Sequence, residues 1–211
     1  MVDDGDAPSR YALSFTSGAL LAREAEIAAG LYLREHDWTR ARRLIRDDNL
    51  LQTRVASSSA RLAREVVQRL AVLSDQELEL LLEAAPSERR LLLWVAACRR
   101  YALIGDFAEE VVRERFLRLT PTLEPERFDV FLREKSLWHP ELAALAASTT
   151  AKLRQNVFRM LADASLLADG VIQRALPTER LLDLLRARRT SDDTRFLPLA
   201  PAPAPAPGDR P

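Results

Sequence analysis

Apolar residues recur along most of this chain at three- and four-residue intervals, the spacing of one buried face of an α-helix. Leu20, Leu21, Ile27, Leu31 and Tyr32 predict a helix running to about His36, which Thr16 and Ser17 can cap. Asp37 caps a short helix from Trp38 to about Asp47, with Trp38, Ala41, Leu44 and Ile45 as its apolar stripe. Asn49 to Ala56 reads as a connector, and a helix from Ser59 to Leu73 buries Leu62, Val66, Leu70 and Leu73. Ser74 followed three residues later by Glu77 is a capping box that starts the next helix. Pro86 interrupts that run at a position suited to a first helical turn, and the helix from Ser87 to about Leu103 is apolar enough to be central. Gly105-Asp106 predicts a stop and restart, with Asp106 as cap and Glu109 three residues on. Pro121 and Pro125 bound a turn before Phe128, Phe131 and Leu132, and Trp138-His139-Pro140 breaks the chain again. A long helix is expected from about Thr150 to Ala168, and Pro177 opens a last one reaching Arg189. Only Tyr11 to Phe15 alternates in the manner of an extended segment.

The fold class is therefore all-α, a multi-helix bundle in two helical subdomains. Residues 1–10 form a flexible leader, 11–73 an N-terminal helical subdomain and 74–190 a C-terminal helical bundle. Residues 191–211 are expected to be a disordered tail, because Pro198 to Pro207 is almost entirely Pro and Ala and cannot supply a core. No solenoid repeat period is present. The helix at Trp38, the connector and the helix from Ser59 could form a unit like a helix-turn-helix, although the connector is longer than the usual tight turn.

Composition narrows the function classes. At 211 residues, 47% hydrophobic and 29% charged, the chain is an ordinary globular protein. Its 31 basic and 31 acidic side chains cancel, so a nucleic-acid surface must be a local patch. All the basic residues except Lys135 and Lys152 are Arg, a skew spread along the whole chain and best explained by a GC-rich genome. The single cysteine, Cys98, excludes an intramolecular disulfide and lies in an apolar run, as a buried structural thiol would. The acidic leader has no apolar h-region and no stretch approaches a membrane span of about 20 residues, so a cytoplasmic protein is expected.

Catalytic chemistry has no visible foothold. His36 and His139 sit beside helix boundaries without partners at metal-ligand spacing, and both read as packing or capping residues. No Gly-rich phosphate loop, dinucleotide fingerprint or nucleophile elbow occurs. Asp47-Asp48 and Asp192-Asp193 would need further ligands to chelate a divalent ion. The expectation is no catalytic residue, no metal and no cofactor.

Charge layout gives the strongest functional clue. Ser57-Ser58-Ser59-Ala60-Arg61-Leu62 and Ser148-Thr149-Thr150-Ala151-Lys152-Leu153 each set three hydroxyls before a helical run and place a cation in what reads as its first turn. Hydroxyls suit N-caps, but a cation there opposes the helix dipole, as expected where an external anion binds. Asn49 to Arg64 contains no acidic residue and carries Arg54, Arg61 and Arg64, with Arg40, Arg42, Arg43 and Arg46 just upstream. Leu142 to Ala162 is likewise free of acids and carries Lys152, Arg154 and Arg159. Lys152, Gln155, Asn156 and Arg159 share one helical face of long donors and amides, suited to phosphate and base-edge contact. The matching face of the first helix is Arg61, Arg64, Glu65 and Gln68, where Glu65 impairs base contact. The competing explanation is ordinary: amphipathic helices carry charge for solubility, and Ser or Thr before a helix is routine capping.

Several blocks also resemble one family. Tyr11 to Leu21 (YALSFTSGALL) with Glu24-Ala25, Asn49-Leu50-Leu51-Gln52 running to Ser58-Ser59, Asp106-Phe107-Ala108, and Trp138-His139-Pro140-Glu141-Leu142 leading to Lys152-Leu153-Arg154-Gln155 look like BrxA, the small helical component of BREX bacteriophage-defence systems. The resemblance spans about Tyr11 to Arg189. It implies an all-helical DNA-binding protein without catalytic activity, working beside other BREX proteins, with a core similar to NusB-type antitermination proteins, which bind RNA. An inner-membrane label attached to the family finds no apolar span here.

The leading expectation is thus a non-enzymatic, largely sequence-independent partner of double-stranded DNA. Arg61, Arg64, Lys152, Arg154 and Arg159 would neutralise phosphates, supported by Arg40, Arg43 and Arg54. Ser57, Ser58, Ser59, Ser148, Thr149 and Thr150 would present hydroxyls and helix amides, and Gln155 and Asn156 would touch bases or sugars. RNA is retained as a competing polyanion. A helical adaptor for another defence protein is the alternative, and a sequence-reading transcription regulator, dimeric in symmetry, is the third.

Overall fold

A computed structural model of the chain describes residues 10–15, 18–187 and 192–200. Helices dominate it: α1 (Ala22–Glu35), α2 (Trp38–Asp47), α3 (Ala56–Leu70), α4 (Asp75–Glu83) and α5 (Pro86–Arg100). They are followed by α6 (Ala102–Phe107), which widens into π-helical turns over Ala108–Arg113 and closes as α7 (Glu114–Leu117). Then come α8 (Glu126–Lys135), α9 (Pro140–Ala143), α10 (Ala147–Asp163) and α11 (Glu179–Arg186). The all-α expectation holds, with one small exception. Leu167–Ala168 (β1) and Val171–Ile172 (β2) pair antiparallel across Asp169 and Gly170, both at positive φ. Such a two-residue Asp-Gly loop matches strand twist, so the hairpin ends the helix before the expected Ala168.

Helix α5 is the axis of the core. Leu92, Trp94, Val95, Ala96 and Ala97 have no exposed surface, and the Trp94 indole donates to the Phe196 carbonyl at 2.9 Å. Burial pushes the Cys98 thiol well above its ordinary range, which keeps it protonated and inert. Helix α1 packs against α2, α3 and α4, and α5 meets α1, α3, α4, α6 and α10. One continuous set of buried side chains spans Tyr11 to Leu197.

Two buried ion networks staple these helices. Ser74 and Glu77 form the capping box foreseen in the sequence, with Glu77 Oε2 accepting from the Ser74 amide at 2.8 Å. The same carboxylate takes both Arg99 Nη groups at 2.8 and 2.7 Å, and Arg99 Nε reaches Asp193 at 2.8 Å. Asp193, Phe196 and Leu197 are buried, in a short 3-10 turn at Asp193–Phe196. Residues 192–200 therefore belong to the packed body, a correction to the expected tail boundary; positions 201–211 of that tail, and leader positions 1–9, lie outside the described residues. The hydrophobic side chains of Phe196, Leu197 and Leu199 supply the burial that the Pro/Ala composition conceals.

The expected break at Gly105-Asp106 is also displaced. The chain breaks at Tyr101 (φ −123°, ψ 95°), and α6 runs straight through Gly105. Close neighbours favour glycine there. A Cβ would stand 3.0 Å from the Cys98 carbonyl oxygen and 3.1 Å from the Phe196 ring. Gly105→Ala should consequently lower the urea midpoint, since overpacking costs about 1–3 kcal/mol and outweighs the helix-propensity gain of about 1 kcal/mol. A variant more stable than the parent would show that the contact relaxes freely.

Candidate nucleic-acid interface

Helix α2 is capped by Asp37, whose carboxylate accepts from the Thr39 and Arg40 amides at 2.7 and 3.1 Å. Ala41 and Ile45 turn inward, so Thr39, Arg42, Arg43 and Arg46, spaced i, i+3, i+4 and i+7, share the outward face. Opposite them, α3 offers Ala60, Ala63 and Arg64. The two faces enclose a cleft of about 370 Å³ lined by those seven residues, none of them acidic. Arg46 is held by Asp47 at 2.8 Å. Among the described residues Arg42, Arg43, Arg54, Arg61 and Arg64 have no ion-pair or hydrogen-bond partner, and all five are exposed. Arg40 leaves the group, bound to Glu35 at 2.7 Å.

Glu65 does not spoil this surface, contrary to its placement on the face of Arg61 and Arg64. It is 5% exposed and accepts from Arg69 Nε and Nη2 at 2.9 and 2.7 Å and from the Tyr101 hydroxyl at 2.9 Å. Burial and then Glu65 push the Tyr101 phenol up to about 12. Arg69 Nη1 also donates to the Ala19 carbonyl at 2.7 Å, tying α3 to the N-terminal segment. The one carboxylate of α3 is thus spent on the interior.

The helix starts differ from their sequence reading. Both begin earlier than expected, at Ala56 and Ala147, with Val55 and Ala146 as N-caps and no side-chain cap. Ser57, Ser58 and Ser59, and Ser148, Thr149 and Thr150, therefore lie inside the first turn or just past it, and Arg61 and Lys152 stand in the second. The dipole conflict is correspondingly weaker, because the effect fades beyond the first turn. Ser57 and Ser58 are exposed, whereas Ser59 is 3% exposed with its hydroxyl unpartnered and cannot touch an external duplex.

The second set is dismantled further by tertiary contacts. Asn156 is 3% exposed, and its amide donates to the Phe15 carbonyl at 3.0 Å, so it holds the N-terminal segment rather than facing solvent. Arg154 is ion-paired to Asp129 of α8. Thr150 borders a cleft that also contains Glu126 and Asp129, carboxylates that the acid-free stretch of sequence around it does not reveal. Lys152 and Gln155 are exposed and bonded to each other at 3.1 Å, and Ser148, Thr149 and Arg159 are exposed. The first set opens beside α2 and the second beside α8, so the two share no cleft.

Asn156 belongs to a strap. The Tyr11 amide donates to Glu141 at 2.8 Å, its hydroxyl donates to Asp106 at 2.5 Å, and the Leu20 amide donates to Asp163 at 3.2 Å. The Tyr11 ring lies 4.1 Å from that of His139, which gives this histidine the packing role expected for it. His36 ends α1 at positive φ. Removing the amide in Asn156→Ala should destabilise the protein by about 1–3 kcal/mol, the loss for an orphaned buried carbonyl. Unchanged stability in chemical denaturation would show that the strap does not depend on it.

Among the described residues no group of three or more His, Cys, Asp or Glu side chains could hold a metal ion, and no helix is long and apolar enough to cross a membrane. The BrxA family profile matches residues 9–189. The BREX protein BrxA of Escherichia coli O9:H4 (strain HS) is 29% identical over 147 residues, 70% of this chain and 69% of that protein. The BREX protein BrxA of Paramagnetospirillum magneticum (strain ATCC 700264 / AMB-1) is 27% identical over 167 residues, 78% and 82% of the two chains. The crystal structure of an uncharacterized protein from Magnetospirillum magneticum has the same fold, with a TM-score of 0.77, 24% identity and coverage of 90% of this chain and 99% of that one. With most of its length matched by the family profile, the chain belongs to the BrxA family.

Proposed function

We propose that this BrxA-family chain is a non-enzymatic BREX component that binds double-stranded DNA through its phosphates, in the cytoplasm and alongside other BREX proteins. The observation that carries the reading is the surface of α2, α3 and the connector between them, where Arg42, Arg43, Arg54, Arg61 and Arg64 are exposed without partners and the residues lining the α2–α3 cleft include no acid. Guanidinium groups suit bidentate phosphate contact, and Ser57 and Ser58 add hydroxyl donors beside uncapped helix amides. Phosphate contacts position a protein without reading sequence, so weak base preference is expected. RNA offers the same phosphates and is the natural competitor. From α10 the contribution reduces to Lys152, Gln155 and Arg159.

An adaptor role has one observation of its own. Leu137 and Trp138, at the end of α8, are 78% and 73% exposed, an unusual presentation of large apolar side chains. Neither residue lines the arginine cleft, so the two roles are compatible.

Duplex affinity measured over a salt series tests the DNA reading. The logarithm of affinity should fall linearly with the logarithm of salt, with a slope of about −0.9 for each phosphate contacted. Arg61→Gln with Arg64→Gln should weaken binding to all sequences alike and make the slope shallower by about 2. A slope and affinity equal to the parent's would remove these arginines from the interface, and strong discrimination between scrambled duplexes would favour a regulator.

A further inference from the structure

We propose that the cleft between α2 and α3 is a seat for a compact polyphosphate, a pyrophosphate unit carrying about three negative charges. Phosphate binding by a convex surface needs only exposed cations, whereas here the cations surround a concavity. Its volume of about 370 Å³ falls within the range of about 300–1,000 Å³ typical of small-molecule sites. Ala60 and Ala63 keep the α3 wall small, so the trough between the helices stays open instead of being filled by side chains.

Charge sets the class of occupant. Arg42, Arg43 and Arg64 line the cleft without partners, and Arg46 is balanced by Asp47. Guanidinium groups stay protonated, so three positive charges face the cavity uncompensated. A single backbone phosphodiester brings one negative charge and leaves most of that field unmatched. A pyrophosphate brings about three, with several oxygens that can accept from guanidinium forks at once, and the Thr39 hydroxyl adds a further donor.

The helix itself supplies the second argument. Arg46 stands four residues from Arg42 and three from Arg43, and like charges at those spacings oppose helix formation, an effect that the Arg46–Asp47 pair offsets only in part. Asp37 offsets part of this by capping the helix start. Since Arg42 and Arg43 contribute no ion pair or hydrogen bond to the fold, their positions are unfavourable until an anion arrives. The inference shares Arg42, Arg43 and Arg64 with the DNA reading, but it also depends on the shape of the cleft.

Two sources share this chemistry, free pyrophosphate and the polyphosphate chain of a nucleotide. Calorimetric titration of the full chain with pyrophosphate, ATP and orthophosphate distinguishes them. The expected result is one site that takes pyrophosphate at least about tenfold more tightly than orthophosphate. Equal affinity for ATP identifies the chain alone as the ligand, and tighter ATP binding a nucleotide; either supports the proposal. Arg42→Gln with Arg64→Gln should weaken pyrophosphate at least about tenfold while the unfolding midpoint stays level or rises. Ala60→Leu keeps every charge and fills the trough, and should abolish pyrophosphate binding. No heat with pyrophosphate, orthophosphate binding as tightly, or an unaffected Ala60→Leu variant overturns the proposal. Duplex binding that survives any of these results leaves the DNA reading intact.

Discussion

The pair formed by Glu65 and Arg69 decides which way α3 faces. Bringing two charges out of water costs several kcal/mol per ion unless every valence is met. Here Glu65 accepts from two Arg69 nitrogens and from Tyr101, while Arg69 also donates to the Ala19 carbonyl. Those partners come from α3, the start of α6 and the N-terminal strap, so the pair can be satisfied in one orientation of the helix. With Glu65 and Arg69 satisfied in the interior beside Val66 and Leu70, Arg61 and Arg64 are left as exposed charges in the first half of α3. An acid-free cationic face is therefore a by-product of a buried acid.

The two helix starts that read alike in sequence then diverge for tertiary reasons. Helix α3 packs beside α2, whose outward face repeats the arginine pattern, and positive charge accumulates. Helix α10 packs beside α8, whose Asp129 takes Arg154 and whose Glu126 sits at the same cleft. The strap consumes Asn156. Electrostatic recognition of a polyanion depends on local excess rather than total charge, and in a chain with balanced acids and bases that excess survives at only one of the two places.

Local rules were legible in the sequence where both partners were local. The Ser74–Glu77 capping box, the Asp37 cap, Pro86 in a first turn and the central apolar run around Trp94 all follow from spacing within one helix. The arginine face of α2 is equally local. Gly105 was misread because its reason lies across the fold, in the Cys98 carbonyl and the Phe196 ring. Glu65 was placed outward although Arg69 sits four residues away, because Tyr101 and Ala19 make the inward position favourable and neither is near in sequence. The Ala60–Ala63 trough left no mark, as small residues on a helix are ordinary until a partner helix fails to fill the space above them.

Hydrogen–deuterium exchange on the full chain with and without duplex DNA tests most directly whether α2 and α3 form the polyanion surface. Slower exchange concentrated in about residues 38–64, with all of α8 unchanged, is the result this account predicts. Slowing centred on the α8–α10 region, with α2 and α3 exchanging as in the free protein, would contradict it.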